Sequence, residues 1–275
     1  MHIIEPYIDP EIRAIARQNS RKALEAFIYQ KRQMDPEYSP PLDDLLQCAT
    51  DSRADEVAAY CLEHGQKATR GVLTSVIVHN SFAVFRVMVE HKAVPINCSV
   101  PWYGDILGVM ARGNKIDWVR FCLEHGADPN VGLVEEHLRP LACAVHTGNY
   151  ELVDLLLHYG ARVEGSNAIV QAAIDEDLDM VKYLLSRGAN IDEVGIEGPP
   201  GDEGYYDMGS PLHQAAVEGY PEMARFLIEA GADIYLKDPL GRTAEELARA
   251  KGHREILEAL RRRRKELEDS VEVEG

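Results

Sequence analysis

An all-α stack of repeated helical hairpins is the fold this sequence predicts, and three recurrences predict it. A turn-forming residue returns about every 33 positions, an apolar pattern of helical period surrounds each one, and a second glycine closes most units. The first recurrence runs through Asn19, Arg53, Asn80, Asn114, Gly148, Glu176, Gly219 and Gly252, at intervals of 34, 27, 34, 34, 28, 43 and 33 residues. Three of these anchors are Gly and three are Asn, the residues that enter the left-handed backbone region at least cost, as a tight turn between two helices requires. Arg53 and Glu176 break that rule, with an expected penalty of about 1 kcal/mol each if the turn is unchanged. The expectation there is a distorted turn or a shifted register.

The second recurrence gives each hairpin its buried face. Seven positions before the anchor stand Ile12, Leu46, Leu73, Leu107, Leu141, Ile169 and Leu212, with Glu245 the exception in the last unit. Small or apolar residues recur three and four before the anchor, as in Ala172-Ala173 and Ala215-Ala216, and allow a first helix to pack closely. Eight and nine after it come Cys61-Leu62, Cys122-Leu123, Leu184-Leu185 and Leu227-Ile228, one face of a second helix. The third recurrence is Gly65, Gly126, Gly160, Gly188 and Gly231, placed to end that helix in a left-handed residue, with Lys92 in the glycine's place in the third unit. Trp118 falls on a core position of a second helix.

The clearest unit reads Ser210-Pro211-Leu212-His213-Gln214-Ala215-Ala216-Val217-Glu218-Gly219 and ends in Ala230-Gly231-Ala232-Asp233. It resembles the ankyrin repeat, TPLHxAAxxG...LLxxGAD, almost position for position, and the resemblance implies an all-α ankyrin-repeat solenoid of seven to eight repeats. Three segments are expected. Residues 1–104 hold degenerate repeats and an N-terminal cap, 105–260 the regular repeats with a long insertion near 194–208, and 261–275 a charged tail. Terminal repeats need polar outer faces. Residues 11–17 and 243–265 supply them with mixed charge, and the acidic tail from Glu266 onward is expected to fray.

Composition narrows the function. The net charge of −17 excludes a general affinity for nucleic acid or anionic membrane, which needs a basic surface. No run approaches the roughly 18 uncharged apolar residues of a membrane span. The opening MHIIEPYIDP lacks the basic and apolar regions of a signal peptide, so a cytoplasmic chain is expected, with the nucleus as the other compartment. Five cysteines, Cys48, Cys61, Cys98, Cys122 and Cys143, show no zinc-ligand spacing, and an odd count without a signal peptide indicates reduced thiols. Neither cofactor nor metal is expected.

The resemblance also implies where binding sits. Ankyrin repeats use a concave surface made of finger loops and of the positions one and two before each anchor. Those positions here are Val78 and His79, Arg112 and Gly113, His146 and Thr147, Ile174 and Asp175, and Val217 and Glu218. Finger positions include Trp102, Tyr103, Glu135, Glu136, His137, Glu164, Tyr205, Tyr206 and Asp207. The partner-binding candidates taken from both sets are Trp102, Tyr103, Glu135, Glu136, His146, Asp175, Tyr205, Tyr206, Asp207 and Glu218. Tyr205 and Tyr206 lie in the longest interval, a Gly/Pro-rich acidic loop. Such a loop is cheap to lengthen, at about 0.6 kcal/mol per doubling, so a tolerated insertion competes with a binding role. Paired tyrosines favour the latter. Between residues 124 and 233 stand 21 Asp or Glu against five Arg or Lys, which points to a basic segment on the partner. The competing reading is a solvated outer face.

Catalytic readings are weaker. His64, His91 and His125 share the end of the second helix, where an imidazole meets unpaired carbonyls; a metal column is the remote alternative. His213, in the turn that resembles TPLH, is expected to be a structural hydrogen-bonder. The cysteines fall at or beside the packing face as inert thiols. Asp175-Glu176-Asp177 with Asp179 lacks the glycine and final glutamate of a calcium loop, and no GxSxG, phosphate loop or HExxH is present. The basic run 261–265 reads as helix-end charge, as partners for Glu258, Glu266 and Glu268, or as a nuclear-localisation patch. The expectation is thus a non-enzymatic, monomeric adaptor or scaffold that binds a protein segment, with escort of a basic protein as the alternative. An acid/base enzyme using His146 and nearby carboxylates is the second alternative.

Overall fold

The computed structural model of the chain describes residues 10–100, 104–131, 138–195 and 209–274. Among them stand sixteen helices, besides two-residue strands at Ser99–Val100 and Gly104–Asp105, in two compact units, Met1–Val100 and Pro101–Gly275.

The first unit contains three hairpins: α1 (Pro10–Arg17) with α2 (Arg21–Met34), α3 (Leu42–Asp51) with α4 (Asp55–Glu63), and α5 (Arg70–Val78) with α6 (Phe82–Glu90). Helix α1 packs on α3 and α3 on α5, while α2 packs on α4 and α4 on α6. The second unit contains five: α7 (Ile106–Arg112) with α8 (Ile116–Glu124), α9 (Pro140–His146) with α10 (Tyr150–His158), α11 (Ala168–Ile174) with α12 (Leu178–Ser186), α13 (Pro211–Glu218) with α14 (Pro221–Glu229), and α15 (Ala244–Lys251) with α16 (Arg254–Glu274). Its first helices pack in sequence, α7 on α9, α9 on α11, α11 on α13 and α13 on α15. The all-α repeat architecture expected from the periodicity is therefore the one observed within each unit.

The apolar positions do what their spacing requires. Ile12, Leu46, Leu73, Leu107, Leu141, Ile169 and Leu212 are all buried, each such side chain contributing about 1.5–3 kcal/mol relative to exposure. Ala49, Ala111, Ala142, Ala172 and Ala215 are buried on the neighbouring turn and hold adjacent first helices close.

All eight anchors have positive φ, and Arg53 (58°) and Glu176 (56°) lie beside Asn19 (50°) and Asn114 (53°). The distortion expected at those two positions is absent. The cause is a shared closure: the N–H after the anchor donates to the carbonyl four before it, Ala54 to Ala49 at 2.7 Å and Asp177 to Ala172 at 2.9 Å, just as Lys115 bonds Met110 at 2.9 Å. Packing of the buried alanines over-determines the turn, so a side chain that dislikes it is carried along. Lys92 (55°) replaces the second glycine in the same way.

Helix α16 departs from the sequence expectation. Rather than fraying from Glu266, it continues to Glu274. Arg262 and Arg263 each pair Glu266 at 3.4 Å, and Arg261 and Arg264 turn back onto Glu245. Glu245, the one polar residue in the buried column, is itself 5% exposed and also receives Arg249 at 2.6 Å.

Candidate functional site

Where a first helix runs into its left-handed anchor, its last two side chains project beyond the packed stripe. In the second unit these are His146 and Thr147 at the end of α9, Ile174 and Asp175 at α11, and Val217 and Glu218 at α13. His146 and Asp175 meet across adjacent repeats: imidazole Nδ1 lies 3.0 and 3.1 Å from the two carboxylate oxygens. Gln171, one helical turn before Asp175, donates its amide to both oxygens at 3.1 Å. The imidazole is 53% exposed and the carboxylate 24%. An ionised carboxylate only accepts, so the contacts at 3.0 and 3.1 Å call for a hydrogen on Nδ1, which the Gln171 amide also approaches, more distantly, at 3.4 Å.

One repeat further on, Tyr220 follows the anchor of α13. Its phenol is pushed up by partial burial and then by the charges of Glu218, Glu176 and Asp175. These three carboxylates therefore share one side of repeats six and seven, and they do so in the most acidic stretch of the chain.

Three of the ten expected partner-binding residues, His146, Asp175 and Glu218, stand in this row. Trp102, Tyr103, Glu135, Glu136, Tyr205, Tyr206 and Asp207 lie outside the described residues, as do residues 196–208 of the insertion.

Other singled-out residues have structural partners. His64 and His125 place Nδ1 2.8 Å from the carbonyls of Tyr60 and Phe121 and stack on those rings at 4.0 and 3.9 Å, using the helix end as their spacing suggests. His213 is 1% exposed and spans two repeats: Ser210 N–H donates to Nδ1 at 3.1 Å, and Nε2–H donates to the Arg242 carbonyl at 3.1 Å. Arg242 is held by Asp238, which accepts its N–H and its Nε, both at 2.7 Å. Burial raises the Asp238 carboxyl, yet these bonds outweigh it and hold the group below its ordinary range. All five thiols are buried, and burial pushes Cys61 and Cys143 up to about 12, far from a reactive thiolate. Within the acidic run, Asp177 caps α12 through Met180 N–H at 2.9 Å and Asp179 pairs Lys182 at 3.3 Å. No cluster of three metal-ligating side chains occurs among the described residues.

Sequence reasoning missed several connectors. Asn130 accepts from Arg162 N–H at 2.9 Å and donates to the Gly160 carbonyl at 3.0 Å, and Asp192 accepts from Asp233 N–H at 2.9 Å. Both follow the second glycine by four residues, a regularity that aligning the units on that glycine exposes. Buried Glu193 receives Gly165 N–H at 3.1 Å and Asn167 N–H at 2.8 Å, which fastens the short loop before α11.

Geometry first defines a class, a protein of stacked helical hairpins with left-handed closures and polar first-helix ends. A family model described as ankyrin repeats (3 copies) matches residues 106–195 and 169–269, together more than half the chain, and the chain belongs to the ankyrin-repeat family. It is 33% identical over 132 residues to the B-cell lymphoma 3 protein homolog of Mus musculus, covering 46% of this chain and 27% of that protein. It is 31% identical over 124 residues to a putative E3 ubiquitin-protein ligase of Arabidopsis thaliana, covering 42% and 30%. A putative ankyrin repeat protein of fowlpox virus is 27% identical over 167 residues, covering 56% and 46%. The chain thus spans less than half the length of each of these relatives. Ankyrin repeats generally mediate protein–protein interaction. No helix among the described residues is long and apolar enough to cross a membrane.

Proposed function

We propose that the chain is a protein–protein interaction adaptor that holds a basic segment of a partner protein along the first-helix ends of repeats five to seven, with the finger loops at the flanks. The observation that carries this reading is the row His146, Asp175 and Glu218. Three consecutive repeats offer exposed polar ends, and the carboxylates of Asp175, Glu176 and Glu218 act together on Tyr220. Adjacent helices pack about 8–10 Å apart, near the Debye length of about 8 Å at physiological salt, so carboxylates on neighbouring repeats reinforce one another.

Escort of a basic protein uses the same surface and differs in outcome: the partner is shielded from other acidic macromolecules until it is handed on. Calorimetric titration of a lysine- and arginine-rich peptide tests the shared core of both. Affinity should fall steeply with added salt, and Asp175→Asn and Glu218→Gln should each weaken it about two- to fivefold, the range for partly solvated charge pairs. Affinity that stays flat from low to high salt overturns the basic-partner reading. Capture of partners from the native host with Tyr205→Ala/Tyr206→Ala and Trp102→Ala variants tests the loops, and unchanged capture removes them from the site.

A further inference from the structure

The last two repeats carry a surface of the opposite sign to the rest of the chain. Residues 249–265 hold eight Arg or Lys against two Glu, in a chain whose net charge is −17. The fold gathers these cations instead of dispersing them. Two carboxylates serve five guanidiniums: Glu245 takes Arg249 at 2.6 Å, Arg261 at 3.8 Å and Arg264, while Glu266 takes Arg262 and Arg263 at 3.4 Å each. The five side chains remain between 37% and 75% exposed. Beside them, between α14 and α16, lies a cleft of about 230 Å³ lined by Arg225, Arg262 and Arg263 together with Ile228, Glu229 and Glu266.

Stability alone does not account for this arrangement. Glu245 stands where the other seven repeats bury an apolar residue, and a buried carboxylate paired with cations is commonly no better for the fold than an apolar side chain. Arg261, Arg264 and Lys265 stand three and four residues apart on one helix, a spacing at which like charges oppose helix formation. Exposed arginines elsewhere in the same unit each have a carboxylate of their own: Arg120 has Glu151, Arg187 has Asp154, and Arg225 has both Glu222 and Glu255. Only around residues 261–264 do several guanidiniums share one carboxylate among the described pairs of this unit. Both departures have the same result, an excess of fixed, half-exposed forks on one face.

We propose that the face built by α14, α15 and α16 around residues 261–265 docks a short acidic segment of a partner protein. This site is separate from the row at His146, Asp175 and Glu218 and takes a ligand of opposite charge. Guanidinium presents paired N–H donors that match a carboxylate in a two-point contact, and sharing Glu245 or Glu266 leaves each arginine with donors to spare. Arg261 and Lys265 are about 6 Å apart along the helix, close to the roughly 7 Å between alternate side chains of an extended peptide. A peptide with acidic residues at alternate positions therefore meets successive cations. A nucleic-acid strand carries a charge about every 3.4 Å and runs on past the patch, where the 21 Asp or Glu against five Arg or Lys of residues 124–233 repel it. A short acidic segment ends before that repulsion accumulates.

The test titrates hexaglutamate peptide into the full chain labelled with nitrogen-15 arginine, at low salt, and follows the arginine Nε–H resonances. Signals of Arg261, Arg262, Arg263 and Arg264 should shift and saturate, while those of Arg120 and Arg187 stay fixed. Arg262→Gln/Arg263→Gln, at exposed positions, should keep the wild-type urea midpoint and weaken the peptide about tenfold, two charge pairs at two- to fivefold each. Hexathymidylate should bind more weakly than hexaglutamate. Absence of a saturable shift, equal shifts at Arg120 and Arg187, or unchanged binding by the double variant overturns the proposal. Equal affinity for hexathymidylate overturns the choice of an acidic peptide. Sedimentation of the chain alone should not depend on its concentration; self-association that the double variant abolishes would give the patch to a second copy of the chain and overturn the partner assigned here. The basic-peptide titration at repeats five to seven is read independently, so failure here leaves that reading standing.

Discussion

Replacing His213 with phenylalanine should loosen the last two repeats by about 1–3 kcal/mol. The ring is 1% exposed, and Ser210 beside it is equally buried. Phenylalanine takes the place of the ring but deserts the Ser210 N–H, 3.1 Å from Nδ1, while the Arg242 carbonyl, 3.1 Å from Nε2, keeps the Asp238 N–H at 2.8 Å. A buried group left without a partner costs about 1–3 kcal/mol, and the Ser210 N–H is the one orphaned. Stacked repeats unfold partly independently, so the loss should concentrate in hydrogen exchange of α13 and α15, with a smaller shift in the urea midpoint of the whole chain. A pH dependence accompanies it. Burial holds the His213 ring below its ordinary pKa, so the fold prefers the neutral form. The resulting stability is fully present above the unfolded value of about 6.5 and is lost as pH falls through the lower folded value. The gap between wild type and His213→Phe should therefore narrow on acidification. A variant within about 0.5 kcal/mol of wild type at neutral pH, or a gap that widens in acid, refutes the bridge, since the orphaned Ser210 N–H alone accounts for more than that.

Glu176→Gly should raise stability by about 0.5–1 kcal/mol in urea unfolding, because φ of 56° strains any residue with a Cβ and glycine relieves it. Glu245→Leu restores the residue type of the buried column. It should leave the unfolding midpoint unchanged or higher, as exchanges of buried ion pairs for apolar groups often do, while residues 261–274 exchange faster for want of the Arg261 and Arg264 anchor. Asp105 is 6% exposed; its Oδ1 accepts the Gly108 N–H at 2.8 Å, its Oδ2 has no partner among the described residues, and burial raises its pKa. Stability from the protonated form is present below the unfolded value of about 3.9 and declines as pH rises through the folded value. Asp105→Asn should accordingly gain on wild type in thermal melts from acid to neutral pH, and a constant difference would remove the effect.

What the sequence makes legible follows the range of the forces involved. Helices, turns and their buried faces come from contacts within some ten residues, and the apolar column Ile12 through Leu212 is readable because every hairpin repeats the same local problem. Arg53 and Glu176 escape local reasoning for the converse reason. Intrinsic preference at one residue is worth about 1 kcal/mol, less than the packing of Ala49 and Ala172 that fixes the turn around it. Glu245 is harder still, since Arg249 on its own helix is only one of the guanidiniums that make its burial tolerable, and Arg261 and Arg264 arrive from the next helix.

The candidate site divides along the same line. Counting back from each anchor supplies the addresses of His79, His146, Asp175 and Glu218, because those addresses are local. Which of them touch is a matter of two repeats at once, and single-repeat reading leaves Gln171, which donates to Asp175, as an ordinary helix residue. Alignment of the units on their anchors supplies the missing dimension: His146 stands two before its anchor and Asp175 one before the next, and stacking of the first helices brings them to 3.0 Å. The pair is then a property of the stack, and a repeat protein can acquire it by two substitutions that leave every helix and every buried side chain as they were.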